Sequence, residues 1–388
     1  MAYTLIINPG SSSRKYALAD DEALVYSAHA ALDEAGKLVL EINTAGKQEK
    51  IEIHSLEDAL GRVLESVLSR SLVPDLAHIQ YVVFRIVAPG SAYTTHQYID
   101  DSYIAQLASH TTRAPLHIPP LYEEIIAVQD FFPDALLYAI SDSAFHTTIT
   151  EHLARLSVDA QDAQKYNIRR FGYHGISASS VVRQLQANNH TTDSTVVVHF
   201  GGGISIHAID GGVSVNTSMG YDPSGGMMMS SRGGDVSAGA MLALAQEKKM
   251  SLSDAQAYLY TQCGFEGIVG ERDMRRVLEK YEAGDADALL VIEKLRFEIQ
   301  SQIAAYTFQM GGISQLVLTG TAFYRNPILR DLMLRGLESQ GFLIDDARNN
   351  ALEAQPGTIS AHHSQVAILV LPADETNEML ALFRENAL

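Results

Sequence analysis

The chain is expected to fold as an α/β protein of two domains, and three observations carry that expectation. Apolar runs of strand length alternate with longer stretches of helical periodicity, the pattern of a mixed α/β fold. Its 388 residues exceed the size at which a single core stops growing. An apolar strand that enters a small-residue turn and leaves as a second strand occurs twice, once early in each half, which suggests a duplicated domain.

The first copy reads Leu5-Ile6-Ile7-Asn8-Pro9-Gly10-Ser11-Ser12-Ser13-Arg14-Lys15-Tyr16-Ala17-Leu18, a β-hairpin with glycine and serine at its tip. Residues 55–70 place Leu60, Val63, Leu64 and Val67 on one helical face, with Ser55 as the N-cap. Strands are expected over 79–87 and 135–140. The second hairpin runs over 195–212 around Gly201, Gly202 and Gly203. Residues 285–310 read as a long helix, 315–318 as the strand after it, 366–371 as a short buried strand and 377–385 as a terminal helix. No low-complexity linker separates the halves, so the domains are expected to abut and enclose a cleft.

Composition narrows the function. With 46% hydrophobic and 19% charged residues the chain can bury cores and is not disordered. Lys plus Arg is 28 and Asp plus Glu 46, a formal charge of −18. That argues against a non-specific nucleic-acid binder and against docking on anionic membranes. An anionic substrate would then need a local cluster of cationic side chains. The single cysteine, Cys263, excludes an intrachain disulfide and a cysteine-rich zinc site. No apolar run reaches the roughly 18 residues that span a bilayer, and the first residues lack a signal-peptide pattern. A cytoplasmic protein is expected.

The glycine turns let backbone N–H groups approach an anion, and Ser11, Ser12 and Ser13 add hydroxyl donors. Lys15 follows as a point charge suited to phosphate, although the spacing is not that of a Walker A loop. Arg85 sits in the apolar run Val82-Val83-Phe84-Arg85-Ile86-Val87, where a charge requires either a buried salt bridge or a bound anion. Arg232 lies in the small-residue stretch Met229-Ser230-Ser231-Arg232-Gly233-Gly234-Asp235, as a solvated charge or as an anion ligand. His117 lies in Ala114-Pro115-Leu116-His117-Ile118-Pro119-Pro120, read as stiff and non-helical. His174 is flanked by Gly172 and Gly175, which would let a ligand come close. Asp142 follows an apolar strand, where α/β folds place ligand and Mg²⁺ groups and where a helix N-cap is equally common. Together these are the parts of a phosphoryl-transfer site.

The strings INPGSSSRKY (7–16), APLHIPP (114–120), SDSAFHTT (141–148), RRFGYHGIS (169–177), HFGGGIS (199–205), VNTSMGYDPSGGMMMSSRGGD (215–235) and ERDMRR (271–276) resemble, in order and spacing, those of the acetate kinase family. The resemblance runs over nearly the whole chain. It implies two duplicated ribonuclease-H-like (actin-like ATPase) domains, residues 1–143 with 377–388 and residues 144–376. It implies reversible transfer of the ATP γ-phosphoryl group to acetate or propionate, with Mg²⁺ or Mn²⁺ as cofactor and a homodimer as the assembly. Carried across residue by residue, Arg85, Asp142, His174, Arg232 and His117 are catalytic. Lys15, Ser11, Ser13, His199, Gly201, Gly202, Gly203, Asp273, Met274, Arg275 and Gly320 bind the nucleotide. Val87, Leu116, Tyr173 and Pro223 line the pocket for the acid's alkyl end, and Asn8 and Glu375 hold the metal, with Glu378 close by in sequence.

Several positions depart from the family pattern. HRVVHGG is replaced by Phe84-Arg85-Ile86-Val87-Ala88-Pro89-Gly90, HLGNG by His199-Phe200-Gly201-Gly202-Gly203, and the GIGEN turn by residues 319–326. Ile118 stands where an asparagine is usual, and Tyr173 where the pocket has phenylalanine. None of these removes a principal catalytic residue. They leave two alternatives: a nucleotide-binding relative with weak or lost activity, and a kinase preferring another short acid such as butyrate. A sugar kinase would need a larger polar pocket and a catalytic base.

Overall fold

The computed structural model describes residues 2–10, 13–33, 36–44, 46–115 and 117–387. Ser11, Ser12 and Leu116 lie outside the described residues. The chain divides into two compact units, residues 1–144 with 375–388 and residues 145–374.

Unit 1 is built on strands β1 (Tyr3–Pro9), β2 (Ser13–Ala19), β3 (Leu24–Leu32), β4 (Leu38–Thr44), β5 (Lys47–Glu52), β6 (Ile79–Ile86), β7 (Gln97–Tyr98) and β8 (Leu136–Ser141). Their order across the sheet is β5-β4-β3-β2-β1-β6-β8-β7. The first five strands form an antiparallel meander, while β1, β6 and β8 are parallel. Alternation sets the faces. Leu5 and Ile7 of β1 and Val82 and Phe84 of β6 enter a core with Leu60, Val63, Leu64 and Val67. The helix Glu375–Ala387 packs on β1, β6 and β8, with the Phe383 ring against Tyr81 and Tyr138 at 5.1 and 5.3 Å between centroids.

Two local expectations are corrected. The helix expected from Ser55 begins at Asp58, and Glu57 holds the N-cap position. Ser55 instead accepts the Asp58 N–H at 3.3 Å, closing a turn ahead of the helix. The segment around His117 is not non-helical throughout, because the helix Ile118–Phe131 starts one residue after it. Pro119 and Pro120 sit in the first turn, where a helix N–H has no intrahelical partner to lose.

Unit 2 holds β9 (Thr195–Phe200), β10 (Ile204–Asp210), β11 (Val213–Thr217), β12 (Gln315–Thr319), β13 (Gly357–Thr358) and β14 (Ala367–Val370), in the order β11-β10-β9-β12-β14-β13. Here too a hairpin, β9–β10, leads into parallel neighbours, β12 and β14. The helix Gly175–Ala187 buries Ala178, Val181 and Leu185 against Val197, Val317 and Leu369. The long helix Ala286–Gln309, capped by Asp285, packs against β9 and β10.

Candidate active site

In unit 1 the parallel strands run in step, Ile7 beside Phe84 and Arg85 beside Ile140. Their carboxyl ends therefore present Asn8, Arg85 and Asp142 side by side, where open α/β sheets hold ligands. Glu375 arrives from the first turn of the helix Glu375–Ala387. Arg85 Nη2 donates to Asp142 Oδ2 at 2.9 Å. Arg85 Nη1 donates to Glu375 Oε2 at 3.3 Å and to Asn8 Oδ1 at 3.5 Å. Asn8 Nδ2 donates to Glu375 Oε2 at 3.2 Å. Burial disfavours the guanidinium charge, but Asp142 and Glu375 outweigh it and hold the Arg85 pKa above the ordinary arginine value. The salt bridge that was one of the two options for Arg85 is thus present, and both acidic partners are themselves candidate site residues. Glu375 meets both Asn8 and Arg85, and Glu378, three residues on, is buried.

These donors fit a hard divalent cation: two carboxylates and an amide oxygen are the ligands magnesium accepts alongside substrate phosphates. Among the described residues no group of three or more His, Cys, Asp or Glu side chains forms a metal cage of its own.

Lys15 lies opposite Asn8 in the β1–β2 register and is exposed. The carbonyl of Ser13 accepts the Gly10 N–H at 2.8 Å and closes the hairpin turn. His117 is half-buried just before its helix, and Val87 is buried just past β6.

In unit 2, β9 delivers His199 to the glycine turn at 201–203, and the parallel β12 ends beside it with Gly320. A β-carbon on Gly320 would stand 2.5 Å from the Phe200 carbonyl oxygen, at a φ of +85° that favours glycine. His174, at φ +57°, immediately precedes the helix Gly175–Ala187. Such a left-handed histidine is uncommon backbone of the kind found at functional sites. Gly203 is the meeting point. A β-carbon there would lie 2.7 Å from Arg232 Nη2, 2.8 Å from His174 Cε1 and 3.0 Å from His174 Nε2. Arg232 is aimed by the hydrogen bond from its Nη1 to the Pro223 carbonyl at 2.8 Å. The His174 and His199 rings lie 4.4 Å apart, and His199 Nδ1 is 2.8 Å from Ser177 Oγ. Ser230 Oγ donates to the Gly202 carbonyl at 2.9 Å, tying the arginine loop to the glycine turn.

Other candidates form local structure of their own. Asp273 caps the helix Met274–Glu282 by accepting the Arg275 N–H at 2.9 Å. Its carboxylate is paired with the Arg275 guanidinium at 2.6 Å, and Met274 is buried. The hydroxyl of Tyr173, a buried residue, donates to the Tyr221 carbonyl at 2.8 Å. Sequence reasoning missed Ser205, His207 and His146. Ser205 and His207 are polar residues two apart in β10, otherwise apolar up to its exposed last residue Asp210, a period-2 signal that puts both on one face.

Two sheet-and-helix units of this kind make the actin-like ATPase fold, and the family and relatives of the chain make it a phosphotransferase of that class. The chain belongs to the Acetokinase family, whose profile matches residues 3–382. It is 32% identical over 399 residues to an acetate kinase of Clavibacter michiganensis and 30% identical over 386 residues to one of Clavibacter sepedonicus, covering 98% of both chains in each comparison. Among solved structures it is similar to a propionate kinase from Francisella tularensis, with a TM-score of 0.88, 26% identity and coverage of 98% of this chain and 99% of that one. It is also similar to Porphyromonas gingivalis acetate kinase, with a TM-score of 0.83, 25% identity and coverage of 98% of both chains.

Proposed function

We propose that the protein is a short-chain carboxylate kinase that transfers the γ-phosphoryl group of ATP reversibly to acetate or propionate. One carboxylate oxygen forms a bond to the γ-phosphorus while the bond from phosphorus to the bridging oxygen of ADP breaks. The products are an acyl phosphate and ADP. A carboxylic acid with a pKa of about 4 is already ionised at neutral pH, so no general base is required. Positioning and charge neutralisation are then the work of the site.

Arg85 and Arg232 are the groups suited to hold the acid's carboxylate and the transferring phosphoryl group, because guanidinium forks match both. His174 Nε2 is a donor for the developing charge on the phosphoryl oxygens. His117 would add a second imidazole to the reacting groups. The turn at 201–203, with His199 and Gly320, is proposed to cradle the nucleotide's phosphates, and Lys15 and Ser13 of unit 1 are proposed as phosphate ligands of their own. Asp273, Met274 and Arg275 are proposed for its adenosine part. Val87, Tyr173 and Pro223 would take the alkyl end of the acid. A magnesium or manganese ion, when bound, supplies charge neutralisation on the phosphates; Asn8 and Glu375 would hold it, and Asp142 would orient Arg85.

The observation that carries this reading is the convergence of Asn8, Asp142 and Glu375 on Arg85, each within hydrogen-bond reach of its guanidinium, in a chain of this family. A homodimer is proposed on the exposure of Leu242, Leu252, Phe297 and Phe308 in unit 2. A cytoplasmic protein is proposed in keeping with the family. Among the described residues no helix is long and apolar enough to cross a membrane.

The test traps acyl phosphate with hydroxylamine in reactions containing MgATP and acetate, propionate or butyrate. Hydroxamate from acetate or propionate is expected. No product from any of the three acids refutes the proposal. Arg232→Ala should lose about 3 kcal/mol of transition-state stabilisation, and an unchanged rate would remove that residue from the chemistry.

A further inference from the structure

We propose that Ser205 and His207 are positioning residues that hold the His174 imidazole as a neutral donor, with its proton on the Nε2 that faces the glycine turn. This rests on the role given to His174 above. Ser205 and His207 are two apart on β10, so their side chains leave the same face of the sheet. Ser205 Oγ is 2.8 Å from His174 Nδ1 and 2.8 Å from His207 Nε2. His207 Nδ1 is 3.0 Å from Thr217 Oγ1 on β11, the residue paired with it in the strand register. Ser205, His207 and Thr217 are all fully buried. A continuous chain of hydrogen bonds therefore runs from the back of the site histidine into the core of unit 2.

Proton counting gives the chain two polarities. A serine hydroxyl has one proton to donate and lone pairs to accept with. His207 is kept neutral: burial, and then the neighbouring His146 and His199, push its pKa well below the usual histidine value. A neutral His207 has a single N–H. With that proton on Nε2, His207 donates to Ser205, Ser205 donates to His174 Nδ1, and Thr217 donates to His207 Nδ1. The proton of a neutral His174 is then on Nε2, which lies 3.0 Å from the place a Gly203 β-carbon would occupy. The reverse polarity puts the His174 proton on Nδ1 and presents a lone pair to the turn, which an anion would oppose. A phosphoryl group at the turn therefore selects the first polarity, and it does so without creating a buried charge.

The ring of His207 is itself held. His146 Nε2 is 3.1 Å from the Tyr173 carbonyl, which can only accept, so that nitrogen is the donor, and His146 Nδ1 is 2.8 Å from Ser214 Oγ. The His146 ring stacks on His207 at 5.1 Å and 11°. His146 thus grips both His207 and the carbonyl of the residue before His174.

The test uses the full chain with ¹⁵N-labelled histidine and long-range ¹H–¹⁵N correlation spectra, with and without MgADP. His174 is expected neutral with Nε2 protonated at pH 8. His207→Phe keeps an aromatic ring, slightly larger than imidazole, and removes both nitrogens. It should give mixed His174 tautomers and a kcat lower by about tenfold or more, the scale seen when the orienting partner of a ligating histidine is lost, with KM for acid and nucleotide little changed. His207→Gln, whose amide can again donate to Ser205, should recover much of the rate. A His174 imidazolium or Nδ1–H form in the unaltered protein, or a His207→Phe protein with unchanged tautomer and kcat, overturns the proposal. If His207→Phe fails to fold, Ser205→Ala and the unaltered protein's spectrum decide by the same criteria. A His174→Ala enzyme of full activity beside an Nε2–H spectrum would leave the relay standing and remove only the catalytic role of His174.

Discussion

Arg85 is a structural tie, and the proposed function makes it an anion-binding group as well. It lies on β6 between two acids that would otherwise repel each other, and its side chain is only 14% exposed. Arg85→Ala should lower kcat by about 10²- to 10³-fold in the hydroxamate assay. Arg85→Lys should restore little, because a single ammonium cannot span Asp142 and Glu375 as a guanidinium fork does. A lysine enzyme with near-normal turnover would contradict this. Gly203 offers a test of geometry alone. A methyl group there would meet Arg232 and His174 at 2.7 and 2.8 Å, and both are ends of side chains that can be displaced. Gly203→Ala should therefore leave the fold intact and cost about 100-fold in kcat, the loss expected of a misplacement near 1 Å. Thermal melting would check the first half of that expectation and initial rates the second.

At the scale of elements, β2 is anchored to the helix Ile118–Phe131 by a buried polar cluster. Arg14 pairs with Glu124, and the Tyr16 hydroxyl donates to Glu124 at 2.8 Å. Arg14 and Tyr16 alternate with exposed Lys15, so one strand sends two residues into the core and one to the surface. Burial raises the Glu124 pKa, partly offset by Arg14. Glu124→Ala should destabilise unit 1 by about 3–5 kcal/mol, because Arg14 would be left buried with only the exposed Glu57, 3.7 Å away, as its acid. The double change Arg14→Met with Glu124→Leu should recover most of that loss in urea unfolding. If the single variant unfolds at the same urea concentration as the parent, the cluster does not anchor the element.

For the molecule as a whole, acid should act on both units. His29 and His96 in unit 1 and His207 in unit 2 have lowered pKa values, with burial the first cause in each and Lys15 adding to it at His29. In the unfolded chain these imidazoles take up protons near pH 6.5, and in the folded chain they do so only at lower pH. The stability they allow is complete above about pH 6.5 and falls as the pH drops below it, by at most about 1.4 kcal/mol per pH unit for each group. Calorimetry from pH 8 to pH 5 should show a falling Tm, and His207→Phe should flatten the part that belongs to unit 2. A Tm independent of pH across that range would refute the assignment.

The amino-acid order by itself determined the family, the two hairpins, the amphipathic helix faces and most of the chemical groups. Those features are local: a strand alternates every two residues, a helix repeats every 3.6, and a motif keeps its spacing. Boundaries decided by competing hydrogen bonds were less legible, as at Ser55, whose hydroxyl closes a turn ahead of the helix it was expected to cap. Contacts over long separations were beyond it. The contact of Glu375 with Asn8 and Arg85, the pairing of Arg85 with Asp142, and the placing of Ser205 and His207 behind His174 depend on which strands run parallel and in what register. Only the assembled sheets decide that, because packing a whole face against its helices selects the register that brings distant residues into reach.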